Sequence, residues 1–329
     1  MEKKIFITAL AISIFIGEAA CFTPIVAAKT TRKQKKEASY LEVAAASFES
    51  KQYDTAIEYY TKAIELNPRN AETYTKRGNA KYLSGHYKDA IKDYTKALEI
   101  DPNRENNYYN RGIAKRYKND YKGAIEDYSK VIEIDSNNVD AYNNRGVAKY
   151  YLKDFNGAIK DYTKVIELNK NFQKAYYNRG LAKLGLKQYE DAILDFTKEI
   201  EVNPKNDLAY YDRAIAEVKL DHFVAAIDDY TKAIEINPDN AEYYADRGAL
   251  LCETDGDLKK AEQDLNKAIE LDDKDAEKYL TRAMIFCKLK LYLVAIDDLN
   301  IVIKMNPDNT QAYDLRSYAI KELTQMQKK

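Results

Sequence analysis

The chain has 329 residues, with 52 Lys and Arg against 53 Asp and Glu, which leaves a formal net charge of -1. Nucleic-acid-binding proteins usually carry a basic excess, so this balance argues against such a function. Three cysteines are too few for a disulfide framework.

The first 28 residues differ from the rest and predict a signal peptide. Two lysines precede an apolar run from Ile5 to Gly17, which is too short to span a bilayer. Small residues end at Ala28, where we expect cleavage and therefore export to the periplasm, the cell envelope or the medium. The basic stretch 29–36 is predicted as a linker.

Two alternatives for this segment stay open. The sequence before Cys21 resembles the end of a bacterial lipoprotein signal, although Glu18 stands where that signal has an aliphatic residue. Alternatively, Ile5 to Ala28 is an uncleaved membrane anchor, and the basic residues after it would hold the rest of the chain in the cytoplasm. N-terminal sequencing of the protein from its native host distinguishes these cases.

From Glu37 the sequence repeats with a period of about 34 residues. The pattern AxxYxxRGxAK, followed by a short polar gap and then YxxAIxDYxKAIEI, recurs in these frames with substitutions at some places. The seventh frame is one residue longer, and we expect the extra residue near Glu253 to Asp257. A ninth, half-length frame at 310–329 predicts a C-terminal capping helix. The eight full frames are 37–70, 71–104, 105–138, 139–172, 173–206, 207–240, 241–275 and 276–309.

Each frame predicts two helices joined by a turn. In the second frame, Tyr74, Arg77 and Lys81 are three or four residues apart, which places them on one helical face. The segment Ser84 to Lys88 interrupts this spacing and predicts the turn. Asparagines before several first helices are expected to act as N-caps, at Asn70, Asn206, Asn240 and Asn309.

This period and pattern resemble the tetratricopeptide repeat (TPR) family. The resemblance implies an all-α, right-handed superhelical solenoid of stacked antiparallel helical hairpins, with an extended concave face lined mainly by the first helices. No metal, nucleotide or nucleophile motif is present, and His86 and His222 both fall in turns. We therefore expect no catalysis, no cofactor and no metal.

Small residues and tyrosines predict how the helices pack. Gly or Ala at the eighth place of a frame, as at Gly78, lets the first helix approach the second, as at Ala90, because a large side chain would force them apart. Cys252 and Cys287 are expected as buried thiols rather than a disulfide. Tyrosine at the fourth place is expected in the core, at Tyr40, Tyr74, Tyr108, Tyr142, Tyr176, Tyr210, Tyr244, Tyr279 and Tyr313.

Arginine and aspartate occur together at two places of seven frames, and both are missing from the first frame, which has Val43 and Tyr59. This predicts ion pairs, either within one repeat or from each Asp to the Arg of the next. Arg316, in the half-length frame, favours the second option. The arginines are Arg77, Arg111, Arg145, Arg179, Arg213, Arg247 and Arg282, and the aspartates are Asp93, Asp127, Asp161, Asp195, Asp229, Asp264 and Asp298.

A second face of the first helices is left free by the core and is predicted as a ligand-binding groove. Asparagine recurs at the sixth place of three successive frames, continued by Asp212 and Asp246. This row resembles the peptide-binding asparagine ladder of the O-GlcNAc transferase TPR superhelix. The predicted groove residues are Tyr82, Tyr109, Asn110, Arg116, Tyr117, Asn144, Tyr150, Tyr151, Tyr177, Asn178 and Tyr211.

An amide both donates and accepts hydrogen bonds, so such a row suits an extended main chain. The sequence therefore predicts a noncatalytic protein-interaction scaffold that binds an extended polypeptide segment. The basic clamp by which other TPR proteins hold acidic C-termini is not expected, because Thr75, Asp140 and Asn144 occupy its basic places. Alternatives are a glycan-binding accessory protein of the cell envelope and a purely structural or oligomerisation module.

Overall fold

The structure is a computed structural model, and it describes residues 31–172, 174–254 and 256–327. The described residues form helices and no strand. The helices are α1 (Arg32–Glu49), α2 (Tyr53–Leu66), α3 (Ala71–Leu83), α4 (Tyr87–Ile100), α5 (Glu105–Tyr117), α6 (Tyr121–Ile134), α7 (Val139–Tyr151), α8 (Phe155–Leu168), α9 (Ala175–Gly185), α10 (Tyr189–Val202), α11 (Asp207–Val218), α12 (Phe223–Ile236), α13 (Ala241–Glu253), α14 (Leu258–Leu271), α15 (Ala276–Lys288), α16 (Tyr292–Met305) and α17 (Thr310–Met326).

Each helix packs against the helices before and after it in the chain, so consecutive hairpins stack into a solenoid. The prediction of an all-α repeat solenoid is confirmed. Most odd-numbered helices also contact the next odd-numbered helix, as α5 contacts α7 and α7 contacts α9. Because elements on the inside of a curved stack lie closer together, the odd-numbered helices form its inner wall.

The predictions for residues 1–28, namely cleavage after Ala28, lipid on Cys21 or an uncleaved anchor, concern residues outside those that the structure describes. Within the described ranges, no helix is both long enough and apolar enough to span a bilayer. The basic stretch predicted as a linker is helical from Arg32, because Thr31 and Gln34 form a capping box that begins α1 there.

Capping and turn residues set the length of each helix. Asn70, Asn240 and Asn309 accept a backbone N–H of the following helix, as predicted, whereas the side chain of Asn206 donates to Glu199 instead. The turn of the seventh repeat has four residues between α13 and α14, where the turn between α3 and α4 has three. The extra residue therefore lies in that turn, as expected.

The core lies between the two helices of each repeat. A ring of the second helix fills it, and a Cβ added to Gly146 would lie 2.8 Å from Cε1 of Tyr162. Position eight is therefore small because this ring occupies the space beside it. The corresponding side chains of the second helices are all buried: Tyr60, Tyr94, Tyr128, Tyr162, Phe196, Tyr230, Leu265 and Leu299.

The fourth-place tyrosines of the first helices are not all core residues, which corrects the prediction. Tyr74 and Tyr279 are buried, Tyr313 is 40% exposed, and most of the others are half-buried. An arginine lies near the ring of the buried and the half-buried tyrosines alike: its guanidinium carbon is 5.5 Å from the ring centroid of Tyr74 and 5.4 Å from that of Tyr142. A cation near a tyrosine ring attracts it but does not remove the ring from water, so the fourth place does not have to be buried.

The arginine and aspartate pairs form within single repeats. Arg145 donates from Nε and Nη2 to the two carboxylate oxygens of Asp161, at 2.9 and 2.7 Å, and the other six pairs have the same fork geometry. The sequence-based preference for pairing between repeats is therefore wrong. In four repeats a lysine also reaches the carboxylate, as Lys149 reaches Asp161 at 2.7 Å.

The same arginines also bind the preceding repeat. Nη1 of Arg145 donates to Oγ of Ser129, and five other repeats use a threonine at the equivalent place. Arg316 donates to Oδ1 of Asn300 in this way. An arginine in the half-length frame is thus explained by its bond to the previous repeat and needs no aspartate of its own.

Candidate functional site

The inner wall of α5, α7, α9, α11 and α13 carries the predicted row of sixth-place residues. Asn110, Asn144, Asn178, Asp212 and Asp246 are all half-buried, so part of each side chain is accessible. Each stands on a separate helix, one repeat from the next. The structure therefore brings the predicted row together as a line that crosses five repeats.

Hydrogen bonds tie this row to the fifth-place tyrosines of the preceding repeats. Asn144 Nδ2 donates to the hydroxyl of Tyr109 at 3.0 Å. The hydroxyl of Tyr177 donates to Asp212 Oδ2 at 2.7 Å. The hydroxyl of Tyr211 donates to Asp246 Oδ2, also at 2.7 Å. The row therefore has a structural role at the repeat junctions in addition to any role in binding.

The amide of Asn144 uses one of its two N–H groups in this bond, which leaves the second N–H and the carbonyl oxygen for a ligand. Asn110 likewise donates one N–H, to Asn79 Oδ1 at 3.2 Å. Asn79 also accepts from the hydroxyl of Tyr94 at 2.8 Å, so this asparagine anchors the N-terminal end of the row.

The acidic end of the row has unusual electrostatics. Burial raises the pKa of Asp212 to about 6, and the hydrogen bond from Tyr177 offsets only part of this rise. Burial likewise raises the pKa of Asp246. Neither carboxylate forms an ion pair with a cation of the described residues. This contrasts with Asp161, which binds both Arg145 and Lys149.

Arg116 lies at the opposite end of the wall. Its guanidinium carbon is 5.2 Å from the ring centroid of Tyr117, and its Nε is buried with no hydrogen-bond partner in the part of the chain that the structure describes. Its charge acts on the neighbouring Tyr82, Tyr109 and Tyr128 by opposing the rise in pKa that burial causes in each of them.

Four of the predicted tyrosines lie at the edge where the turns within repeats stand. Tyr117 stacks on Tyr87 at 5.0 Å between centroids and 15° between planes, and Tyr151 stacks on Tyr121 at 5.0 Å and 9°. Tyr82 and Tyr150 contact these stacks edge to face. Since Tyr117 and Tyr151 are 49% and 59% exposed, this edge is accessible but lies beside the row of amides rather than on it.

Sequence reasoning missed two residues of the wall. Asn79 stands where the next two repeats have Ile113 and Val147, so a polar residue in an apolar place was the available signal. Asn143 stands where Tyr109 and Tyr177 occur in neighbouring repeats, and its carbonyl oxygen is buried without a partner among the described residues. Both break the repeat pattern on the face where a ligand is expected.

Among curated proteins, the search found no match to this chain. Several solved structures, in contrast, are similar to this chain. The C-terminal part of a TPR repeat-containing protein from Cytophaga hutchinsonii shares 22% identity, covers 84% of this chain and 98% of its own, and has a TM-score of 0.57. This likeness concerns the fold alone.

Two shorter structures share 27% identity with this chain. MamA covers 52% of this chain and 93% of its own, with a TM-score of 0.51. YrrB, described as a TPR protein with an unusual peptide-binding site, covers 56% of this chain and 94% of its own, with a TM-score of 0.50. Both likenesses extend over about half of this chain.

Family models match most of the repeat region. A model described as TPR repeat matches residues 45–85 and 114–153. Three models described as tetratricopeptide repeat match 71–104, 139–172 and 208–240, then 173–206, and then 229–263. Together with the helical hairpins and their stacking, these matches show that the chain belongs to the tetratricopeptide repeat family.

Proposed function

We propose that this protein is a noncatalytic scaffold that binds an extended segment of another polypeptide along its inner wall. The observation that carries the proposal is the row of half-buried amides and carboxylates, one on each of five successive first helices. An extended chain presents alternating N–H and C=O groups, and an asparagine side chain can pair with both. The adjacent tyrosines Tyr109, Tyr177 and Tyr211 add apolar surface.

The test removes the three amides together. We expect Asn110→Ala, Asn144→Ala and Asn178→Ala in one variant to weaken binding of peptides selected on the wild-type protein from a random peptide library, by tenfold or more. This estimate corresponds to about 1.4 kcal/mol spread over three hydrogen bonds. Peptide affinity is measured by fluorescence anisotropy, and folding is checked by thermal melting.

The chain offers a matched control with the same composition and the same spacing. Asn103, Asn137 and Asn171 stand in the loops between repeats, where their side chains are exposed. Replacing these three with Ala should leave peptide affinity unchanged. Equal affinity of both triple variants, or a library that yields no binding peptide, would contradict the proposal. Binding of cell-wall oligosaccharides in place of peptides would favour the glycan-binding alternative.

We propose export after removal of residues 1–28, because Ile5 to Gly17 has the length of a signal-peptide core and small residues precede Lys29. A mature protein that begins at Lys29 would support export. One that begins at Met1 would instead support the membrane-anchored form with cytoplasmic repeats.

A further inference from the structure

Among the described residues, three charged side chains on the inner wall have no oppositely charged partner, unlike similar groups elsewhere in the solenoid. The buried aspartates of the repeats are each held by an arginine, as Asp127 is by Arg111 at 2.6 Å. Arg116, Asp212 and Asp246, by contrast, form no ion pair within the described ranges. An uncompensated charge that is partly removed from water is costly unless something else compensates it.

The surroundings of the two aspartates suit a cation. Asp212 and Asp246 stand one repeat apart, and each uses one carboxylate oxygen to accept a tyrosine hydroxyl, which leaves the other oxygen available. Tyr211, which is half-buried, lies beside them, and its ring packs on the buried Tyr243 with the centroids 4.8 Å apart. Carboxylates together with tyrosine ring faces attract ammonium and guanidinium groups.

A nearby lysine does not supply this cation. Lys278 is close enough to lower the pKa of Asp246 slightly against the larger effect of burial. Its ammonium, however, binds Asp272 at 2.7 Å and Glu242 at 3.0 Å. Within the described part of the chain, the two aspartates of the wall are thus left without a cation of their own.

Charge of the opposite sign lies on the same wall three repeats earlier. Arg116 is on α5 and Asp212 is on α11, and the intervening first helices contact each other in turn. Three steps of about 8 to 10 Å, together with about 9 Å along the helix axis between the twelfth and sixth places, give a separation of about 26 to 31 Å, which corresponds to about eight to nine residues of extended chain at ~3.3 Å each.

We propose that the groove binds a polypeptide segment that places a lysine or arginine at Asp212 and Asp246 and an acidic group at Arg116. This inference rests on the proposed function and specifies the chemistry of its partner. The sixth-place asparagines between the two ends pair with the main chain of the ligand, while the charged ends select the segment and fix its direction.

The test uses fluorescein-labelled synthetic peptides on the full-length protein. One peptide carries a lysine and a glutamate about eight positions apart, a second carries them in the reverse order, and a third carries glutamine at both positions. We expect one of the two charged peptides to bind at least about tenfold more tightly than the neutral peptide, since groove charge pairs are partly desolvated. Affinity is measured by anisotropy at low salt.

Charge-neutralising variants identify the groups responsible. Asp212→Asn with Asp246→Asn should remove the preference for lysine, and Arg116→Gln should remove the preference for glutamate. The matched control is Asp228→Asn with Asp297→Asn, which makes the same change in net charge at exposed places on α12 and α16. That control should keep the preference for both charges.

The results separate the two proposals. Peptides that bind regardless of charge, or whose charge preference survives in the Asp212 and Asp246 variant, would overturn this inference and leave the proposed function standing. If neither the charged nor the neutral peptides bind, while the protein melts cooperatively, this inference fails, and the library selection described above decides the proposed function separately. A tenfold preference that disappears only in the groove variants supports both.

Discussion

At the scale of single residues, Asp212 shows how a carboxylate in place of an amide changes the stability of the fold at the sixth place of a repeat. Asn110, Asn144 and Asn178 occupy the same place as neutral amides, whereas Asp212 is a half-buried carboxylate whose pKa is raised to about 6 by burial. A raised pKa means that the folded protein binds the proton more tightly than the unfolded chain does. Ionised Asp212 therefore destabilises the fold at neutral pH.

We predict that Asp212→Asn increases the free energy of unfolding at pH 7 by about 1 to 3 kcal/mol, because a neutral amide avoids this cost and still accepts from Tyr177. The gain should grow as pH rises from 4 to about 6 and stay constant above that, since Asp212 is protonated in both states at lower pH. Urea unfolding across this range measures it.

The reciprocal substitution is the control for this prediction. Asn144→Asp places a carboxylate beside the hydroxyl of Tyr109, in the same relation that Asp212 has to Tyr177. It should lower stability above pH 6 and have less effect below pH 4. A loss of stability in Asp212→Asn at every pH would show that the carboxylate is required for packing rather than tolerated there.

At the scale of helices, the most consequential contact is the arginine fork inside each repeat. Asp161 is 3% exposed and compensates both Arg145 and Lys149. Arg145 in turn reaches Ser129 of the preceding repeat. One aspartate thus holds the two helices of a hairpin together and positions the arginine that joins hairpins.

Substitution of this aspartate should be severe. We predict that Asp161→Asn lowers the free energy of unfolding by about 3 kcal/mol, because it leaves two partly buried cations opposite a neutral group. Asp228→Asn, at an exposed place of α12, should change stability by less than about 0.5 kcal/mol. Equal effects of the two substitutions in urea unfolding would contradict a structural role for the fork.

The sequence predicted features that depend on neighbours along the chain. Local spacing predicted the helices, the turns and the close approach of the two helices at Gly146, and the structure contains all three. The aspartate that pairs with Arg145 could not be predicted in this way. A strict period places one Asp in the same repeat and another in the preceding repeat, and spacing alone does not choose between them. The choice depends on the three-dimensional rotation between hairpins.

The candidate site shows the same limit. Local spacing was enough to place Asn110, Asn144 and Asn178 in one row on the inner wall. It could not show that Tyr117 and Tyr151 would stack on the second helix of the preceding repeat, because that contact depends on how repeats are offset. The sequence also could not predict that Asp212 is half-buried without a cationic partner among the described residues, since burial depends on how the repeats stack.

At the scale of the whole molecule, stability is built from contacts between neighbours. Each helix packs on the helices adjacent to it, and no packing surface joins the first repeats to the last within the described residues. The terminal helix α17 covers the apolar surface of α16, including Leu299 and Val302. Unfolding that begins at one end should therefore destabilise the neighbouring repeats first and the distant repeats least.

We predict that deleting residues 308–329 reduces hydrogen-exchange protection in α15 and α16 first, while α3 to α8 keep theirs. The reason is that Leu299 and Val302 lose their cover, whereas distant hairpins keep all of their contacts. Hydrogen exchange followed by mass spectrometry of peptides resolves the helices. A uniform loss of protection along the chain would instead indicate a single cooperative unit.

The uniform arginine bond between repeats also bears on how such a gene changes length. Excising residues 139–172 would bring Arg179 to the place that Arg145 now holds, opposite Ser129, with an equivalent hydrogen-bond acceptor waiting for it. Unequal recombination that adds or removes one such segment in frame therefore produces a chain whose new repeat junction keeps this hydrogen bond. Proteins with longer or shorter grooves can thus arise in one genetic step.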